Sequence, residues 1–280
     1  MSRISTLLAP DHKDRPPAPA HILDWQSFRS WRQDIWGLLD DVVDRRVRRA
    51  FLRSPPDYVV GDDLSWLDQL IQSVRRLNVD TKALVAERIV AKYTALRAVH
   101  GTQASDLNSF YQSGLRPLDP HSFQEKAKAI FLSGEFPELT AADLEKAFIE
   151  VGREVREGRV WFEANEVLLI DHCGHYMLYG SEYLTAIAAH LGGRQDYRQV
   201  LKRAGKPTLF VCDVSLGFIS GHTLKEFAGT AVEMVFQELL DGDGFTPDRG
   251  RGAGFCIRKT LPPSSIVGHY HPVVRDPLLR

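Results

Sequence analysis

The chain has 280 residues, 44% hydrophobic and 25% charged, which makes it an ordinary globular polypeptide with apolar mass for one large core or two smaller ones. Lys and Arg number 35 against 36 Asp and Glu, so a formal net charge of -1 gives no global electrostatic reason to expect nucleic acid or an anionic membrane as the main partner. Three scattered cysteines, Cys173, Cys212 and Cys256, exclude a disulfide framework; without a signal-like apolar leader or a bilayer-length run, a cytoplasmic protein with no membrane partner is expected.

Residues 1–22 hold Pro10, Pro16, Pro17 and Pro19 among charges and read as a flexible tail. From Trp25 to Phe51, apolar residues at three- and four-residue steps, among them Trp31, Ile35, Leu38, Leu39, Val42, Val43 and Val47, predict one amphipathic helix ended by Pro55 and Pro56. Its last turns carry Arg45, Arg46, Arg48, Arg49 and Arg53, which serve either as a solvated face or as a surface for a partner or a phosphate. Two more helices follow, over Leu64 to Leu77 and from Asp80 through Val90, completing a helical N-terminal region at 23–92.

The texture then changes. Tyr93 to Val99 reads as a strand that ends in His100-Gly101-Thr102, and Ser105 to Ser113 as a short helix stopped by Gly114. Residues 121–157 are helical again, with Thr140 and Asp143 as a capping pair and Leu139 with Leu144 as a staple. Arg159 to Glu163, Val167 to Ile170, Thr208 to Val214 and Gly254 to Ile257 have the short β-rich texture of strands. Between them lie a helix from Ser181 to His190 closed by Gly192-Gly193, and one from Thr223 to Leu240 opened by the Thr223/Glu226 signature. The fold class is α+β, helical first and mixed later.

Two clusters carry chemistry. At His100-Gly101-Thr102 a strand brings an imidazole, a hydroxyl and a glycine that lets a flat ligand approach the main chain. Asp171 to Tyr183 packs imidazoles, aromatics and Ser181 ahead of an Ala-rich helix; Tyr176 and Tyr179 could sandwich a planar ring, or simply pack, and Ser181 could bond a ligand amide, or simply cap the helix. His172, Cys173, His175, His269 and His271 supply metal-ligand atom types, but their spacing matches no recognised ligand pattern and no metal is expected. On a strand His269 and His271 would point to one side, which also suits two hydrogen-bonding imidazoles.

The ordered set of strand-His100-Gly101-Thr102, a helix ending at Gly114-Leu115, the aromatic stretch Gly174-His175-Tyr176, a small-residue helix with Thr185 and Ala186, and a Val-rich strand resembles the ADP-ribosyltransferase superfamily, in its poly(ADP-ribose)-polymerase-like branch, over residues 93–275. The resemblance implies a split β-sheet domain at 93–280 with helical insertions. It implies NAD as substrate and cleavage of the bond between nicotinamide and ribose, with transfer to a macromolecular acceptor or to water. His100 would hold a ribose hydroxyl, Gly101 the carboxamide, and Tyr176 or Tyr179 the ring, with Thr102, Ser181 and Tyr183 completing the cofactor-binding set. By resemblance, toxin, effector and antiphage settings are expected. The family's late catalytic Glu has no counterpart: Gly254 stands at the matching position. Glu182, Glu163 or Glu238 would have to supply the charge, with Glu182 in the catalytic set beside His100 and Tyr176, or His269 or His271 does different work; otherwise the chain is an inactive relative that binds a nucleotide or a partner.

Overall fold

In chain order the elements are β1 (Ile22–Asp24), α1 (Phe28–Leu39), α2 (Arg45–Arg53), α3 (Ser65–Arg75), α4 (Thr81–Lys92), β2 (Ala95–Ala104), α5 (Asn108–Ser113), α6 (Pro120–Phe131), α7 (Ala141–Val151), β3 (Val160–Glu163), α8 (Glu166–Cys173), α9 (His175–Tyr179), α10 (Glu182–His190), α11 (Arg198–Leu201), β4 (Lys206–Ser215), α12 (Gly221–Asp241), β5 (Gly254–Ile257) and β6 (Ile266–Tyr270). They come from a computed structural model that describes residues 16–152, 157–191, 195–247 and 253–276. The expected tail at 1–22 falls mostly outside the described residues, as do Gly192-Gly193; Ile22 already belongs to β1. Helix makes up 53% and strand 15%, and β2 runs antiparallel to β3 as β4 does to β6, so the class is α+β.

The chain forms two compact units. A helical unit joins Ala18–Arg97 to Val214–Phe255, so that a late segment belongs with the N-terminal helices. Here the single helix expected from Trp25 to Phe51 is two. Asp44 is extended and its carboxylate accepts from the Arg46 and Val47 backbone N–H groups, which starts α2 afresh. Val42 and Val43 remain buried in the break, so the apolar spacing runs on where the helix does not. Trp25 stacks on Trp31 and meets Phe227 edge-on, Phe28 meets Trp31 edge-on, and Phe51 and Trp66 close on Phe236. Each such buried aromatic contributes about 2 to 3 kcal/mol of transfer free energy. Helix α12 packs on α4 and α1. Gly61 meets it at Gly229 so closely that a Cβ on Gly61 would lie 2.6 Å from the Gly229 carbonyl. Buried Glu233 accepts from the Gly61 N–H at 2.6 Å, which gives that close approach a charge-assisted bond. The cap of α12 is Ser220, whose hydroxyl accepts from the Thr223 N–H, one turn before the expected Thr223.

A sheet unit holds Ala98–Asp213 and the described residues from Cys256 onward. The strands are ordered β5-β3-β2-β4-β6, and β1 pairs off this path, parallel to the first residues of β2 within the helical unit. β2 does not end at His100 but continues to Ala104. One core cluster lies against the sheet, with Val99, Met177, Leu209, Val211 and Tyr270. A second gathers α6, α7 and α10 around Phe131, Leu144, Tyr183 and Ile187. The helical stretch at 121–157 divides into α6 and α7, and Thr140 with Asp143 forms the expected capping box on α7. Residues 167–170, expected as a strand, lie instead in α8, because Asn165 caps the Val167 N–H and commits the run to a helix.

Candidate functional site

His100 sits on β2, between β3 and β4 in the strand order, with Val99 opposite Glu163. Its ring is partly open yet densely surrounded, tilted against Phe162 at 5.8 Å between centroids. Nδ1 lies 2.8 Å from the Trp161 carbonyl oxygen, which can only accept, so Nδ1 carries the proton and Nε2 a lone pair. Desolvation lowers the His100 pKa from its ordinary 6.5 against the weaker opposing pull of that carbonyl, which keeps the ring neutral at pH 7. The product is an oriented hydrogen-bond acceptor. Sequence reasoning found the imidazole but not the Trp161 carbonyl that fixes its tautomer, because a backbone carbonyl leaves no mark in the side-chain pattern.

The three residues after His100 brace the helices. A Cβ on Gly101 would lie 2.9 Å from Met177 Cγ and 3.1 Å from Leu169, so the space that the missing side chain leaves is filled by α8 and α9. Thr102 Oγ1 donates to the Gly180 carbonyl at 3.2 Å, and Gln103 Nε2 donates to the Leu178 and Leu201 carbonyls, each at 2.8 Å. Gly180, at φ +92°, makes the turn between α9 and α10 that these bonds hold.

The aromatic stretch lies in α8 and α9, and packing claims most of it. Tyr179 is fully buried; its hydroxyl donates to the Asp276 carboxylate at 2.9 and 3.0 Å, and Lys202 Nζ pairs with the same carboxylate at 2.5 Å. Burial first, and then the Asp276 bond, push the Tyr179 pKa up to about 12. Tyr183 is also fully buried, in the core of α6, α7 and α10, with its oxygen accepting from Gln124. Ser181 caps α10 through the Leu184 N–H at 3.1 Å. Tyr176 stays half-buried, its ring 4.0 Å from that of His175. Glu182 is exposed in the first turn of α10. Its charge and that of Asp276 raise the pKa of His175, while desolvation lowers it by more.

The late histidines take the hydrogen-bonding role. His269, buried on β6, shares a 2.8 Å bond between Nδ1 and the Tyr111 hydroxyl, and His271 Nδ1 donates to the Pro207 carbonyl at 3.0 Å. Among the described residues no three His, Cys, Asp or Glu side chains are grouped to hold a metal ion, and no helix is long and apolar enough to cross a membrane. A cleft of about 410 Å³ lies in the helical unit, lined by Arg29, Arg32, Glu238 and Asp243 beside Phe28 and Phe245; Arg32 and Glu238 pair with each other there. No residue expected in the NAD-binding set belongs to it. No protein-family model, curated protein or solved structure matches the chain significantly.

Proposed function

We propose that the chain is an NAD-dependent ADP-ribosyltransferase-like protein that takes NAD as substrate in the sheet unit, with His100 accepting a ribose hydroxyl. What supports this reading is the state of one side chain: a neutral imidazole with its Nδ1 proton committed to the Trp161 carbonyl, so that Nε2 can only accept. That is the form which suits a sugar hydroxyl. In the reaction, the bond between the nicotinamide nitrogen and the ribose carbon breaks and its electron pair leaves with nicotinamide. The oxygen of an acceptor, or of water, then closes on the cationic sugar and gives up its proton. Holding the ribose in one orientation is the contribution this histidine would make.

A second reading, the same fold binding a nucleotide or a partner without turnover, is favoured by a separate observation. Burial and one carbonyl account for the His100 shift with no carboxylate contribution, whereas Glu182 acts on His175. A carboxylate that stabilises the cationic sugar would have to come from elsewhere.

Incubating the purified chain with NAD, with and without a cell lysate, and quantifying nicotinamide tests both readings. Release that His100→Ala abolishes at an unchanged melting temperature supports the transferase reading, and release only with lysate assigns a macromolecular acceptor. Equal release by the variant overturns it. NAD binding without any release selects the second reading.

A further inference from the structure

We propose that the outer face of α2 binds the phosphodiester backbone of a nucleic acid. The nine residues of this helix include Arg45, Arg46, Arg48, Arg49 and Arg53, and the structure divides them into two kinds. Arg46 Nε lies 3.1 Å from Asp44, and Arg48 lies 3.2 Å from Asp40 with its guanidinium 4.1 Å over the Trp36 ring. Those two charges serve the fold. Arg45, Arg49 and Arg53 are exposed, and among the described residues no acidic side chain pairs with them.

The unpaired three stand at steps of four residues, and at about 100° per residue they form one stripe along the helix. The middle of that stripe is about 180° from Val47 and Phe51. Both of those apolar residues have no exposed surface, and Phe51 packs on Trp66 and Phe236. The rise of a helix sets the three positions about 6 Å apart along its axis, about 12 Å from first to last. Successive phosphates of one strand lie about 3.4 Å apart along a duplex axis, and farther apart in an extended single strand, so the stripe can meet three phosphates within about five nucleotides. Arginine suits this contact better than lysine, since its planar fork bonds a phosphate through two N–H groups at once. Tyr58, 79% exposed a few residues beyond the helix, offers a ring on which a base can stack.

The same helix cannot insert into a lipid surface. A helix that lies on a bilayer must present its apolar face to the acyl boundary, and that face of α2 is spent inside the protein. The net charge of -1 is no obstacle, because only the local stripe need be positive.

The test uses the full chain and a fluorescein-labelled single-stranded DNA of about 20 nucleotides, with anisotropy read across a salt series. Three phosphate contacts give a slope of log affinity against log salt that is steeper by about 2 than in Arg45→Gln/Arg49→Gln/Arg53→Gln, which keeps helix propensity. The matching triple Lys variant should retain most of that slope, and Arg46→Ala, which removes a paired charge, should change it least. An unchanged slope in a folded Gln variant overturns the proposal. So does absence of DNA binding at low salt, or binding to phosphatidylserine vesicles in place of DNA. No NAD is present in this assay, so its outcome stands apart from that of the nicotinamide experiment.

Discussion

Four of the five tryptophans, Trp25, Trp31, Trp36 and Trp66, belong to the helical unit, whereas seven of the nine histidines among the described residues, His100, His121, His172, His175, His190, His269 and His271, belong to the sheet unit. The first unit spends its aromatic mass on packing and its buried Glu233 on holding Gly61 against α12. The second holds His100 and His175 in surroundings that disfavour their charged form. Substitutions in the core of the helical unit should therefore register as stability, and those at His100 and His175 as pH dependence.

The largest expected effect lies where two backbones touch. An alanine at Gly229 would put its Cβ 2.0 Å from the Gly61 oxygen, and neither backbone can step aside as a flexible side chain would. Gly229→Ala should cost about 3 kcal/mol or more in urea unfolding, and a loss below about 1 kcal/mol would show that the contact is not tight. In the sheet unit, Tyr179→Phe removes a donor from a buried carboxylate while Lys202 still pairs with it, so about 1.5 kcal/mol should be lost. A larger loss would mean that Lys202 does not hold Asp276 unaided.

The pH dependence follows from the depressed imidazoles. The folded pKa values of His100 and His175 lie below the ordinary 6.5, so the unfolded chain takes up protons first as pH falls. Their contribution is complete above about pH 6.5 and is lost as pH drops from there through the lowered values. His100→Gln should flatten this part of the stability curve; a curve of unchanged slope would remove His100 as a cause. The smallest effect is expected at Arg88, which grips Asp41 through two bonds of 2.5 and 2.7 Å and holds its carboxyl below the usual range. The Asp41 side chain is 61% exposed, so screening should hold the cost of Arg88→Ala to about 0.5 to 1 kcal/mol by thermal melting.

Elements with side-chain punctuation are legible in the sequence: the capping box at Thr140 and Asp143, the cap at Ser181, and the stop at Gly114 with φ +75°. The break between α1 and α2 is not, because Val42 and Val43 stay buried and continue the apolar spacing through it. Residues 167–170 look like a strand by composition, and only the Asn165 cap reveals a helix. At the site, His100 stands out in the sequence, whereas its orienting carbonyl does not. Nor does the bond from Tyr179 to Asp276, which spans 97 residues, or that from Gly61 to Glu233, which spans 172. The union of residues 214–255 with the N-terminal helices is equally long-range, and local patterns cannot express it.

One measurement bears most directly on the proposed site: nitrogen-15 spectra of the histidine rings at pH 7, with the His100 signals identified by their loss in His100→Ala, before and after NAD is added. The prediction is a neutral ring protonated at Nδ1, with an unprotonated Nε2 whose resonance shifts as NAD saturates the protein. A ring protonated at Nε2, or a His100 signal that does not move at saturating NAD, would contradict it.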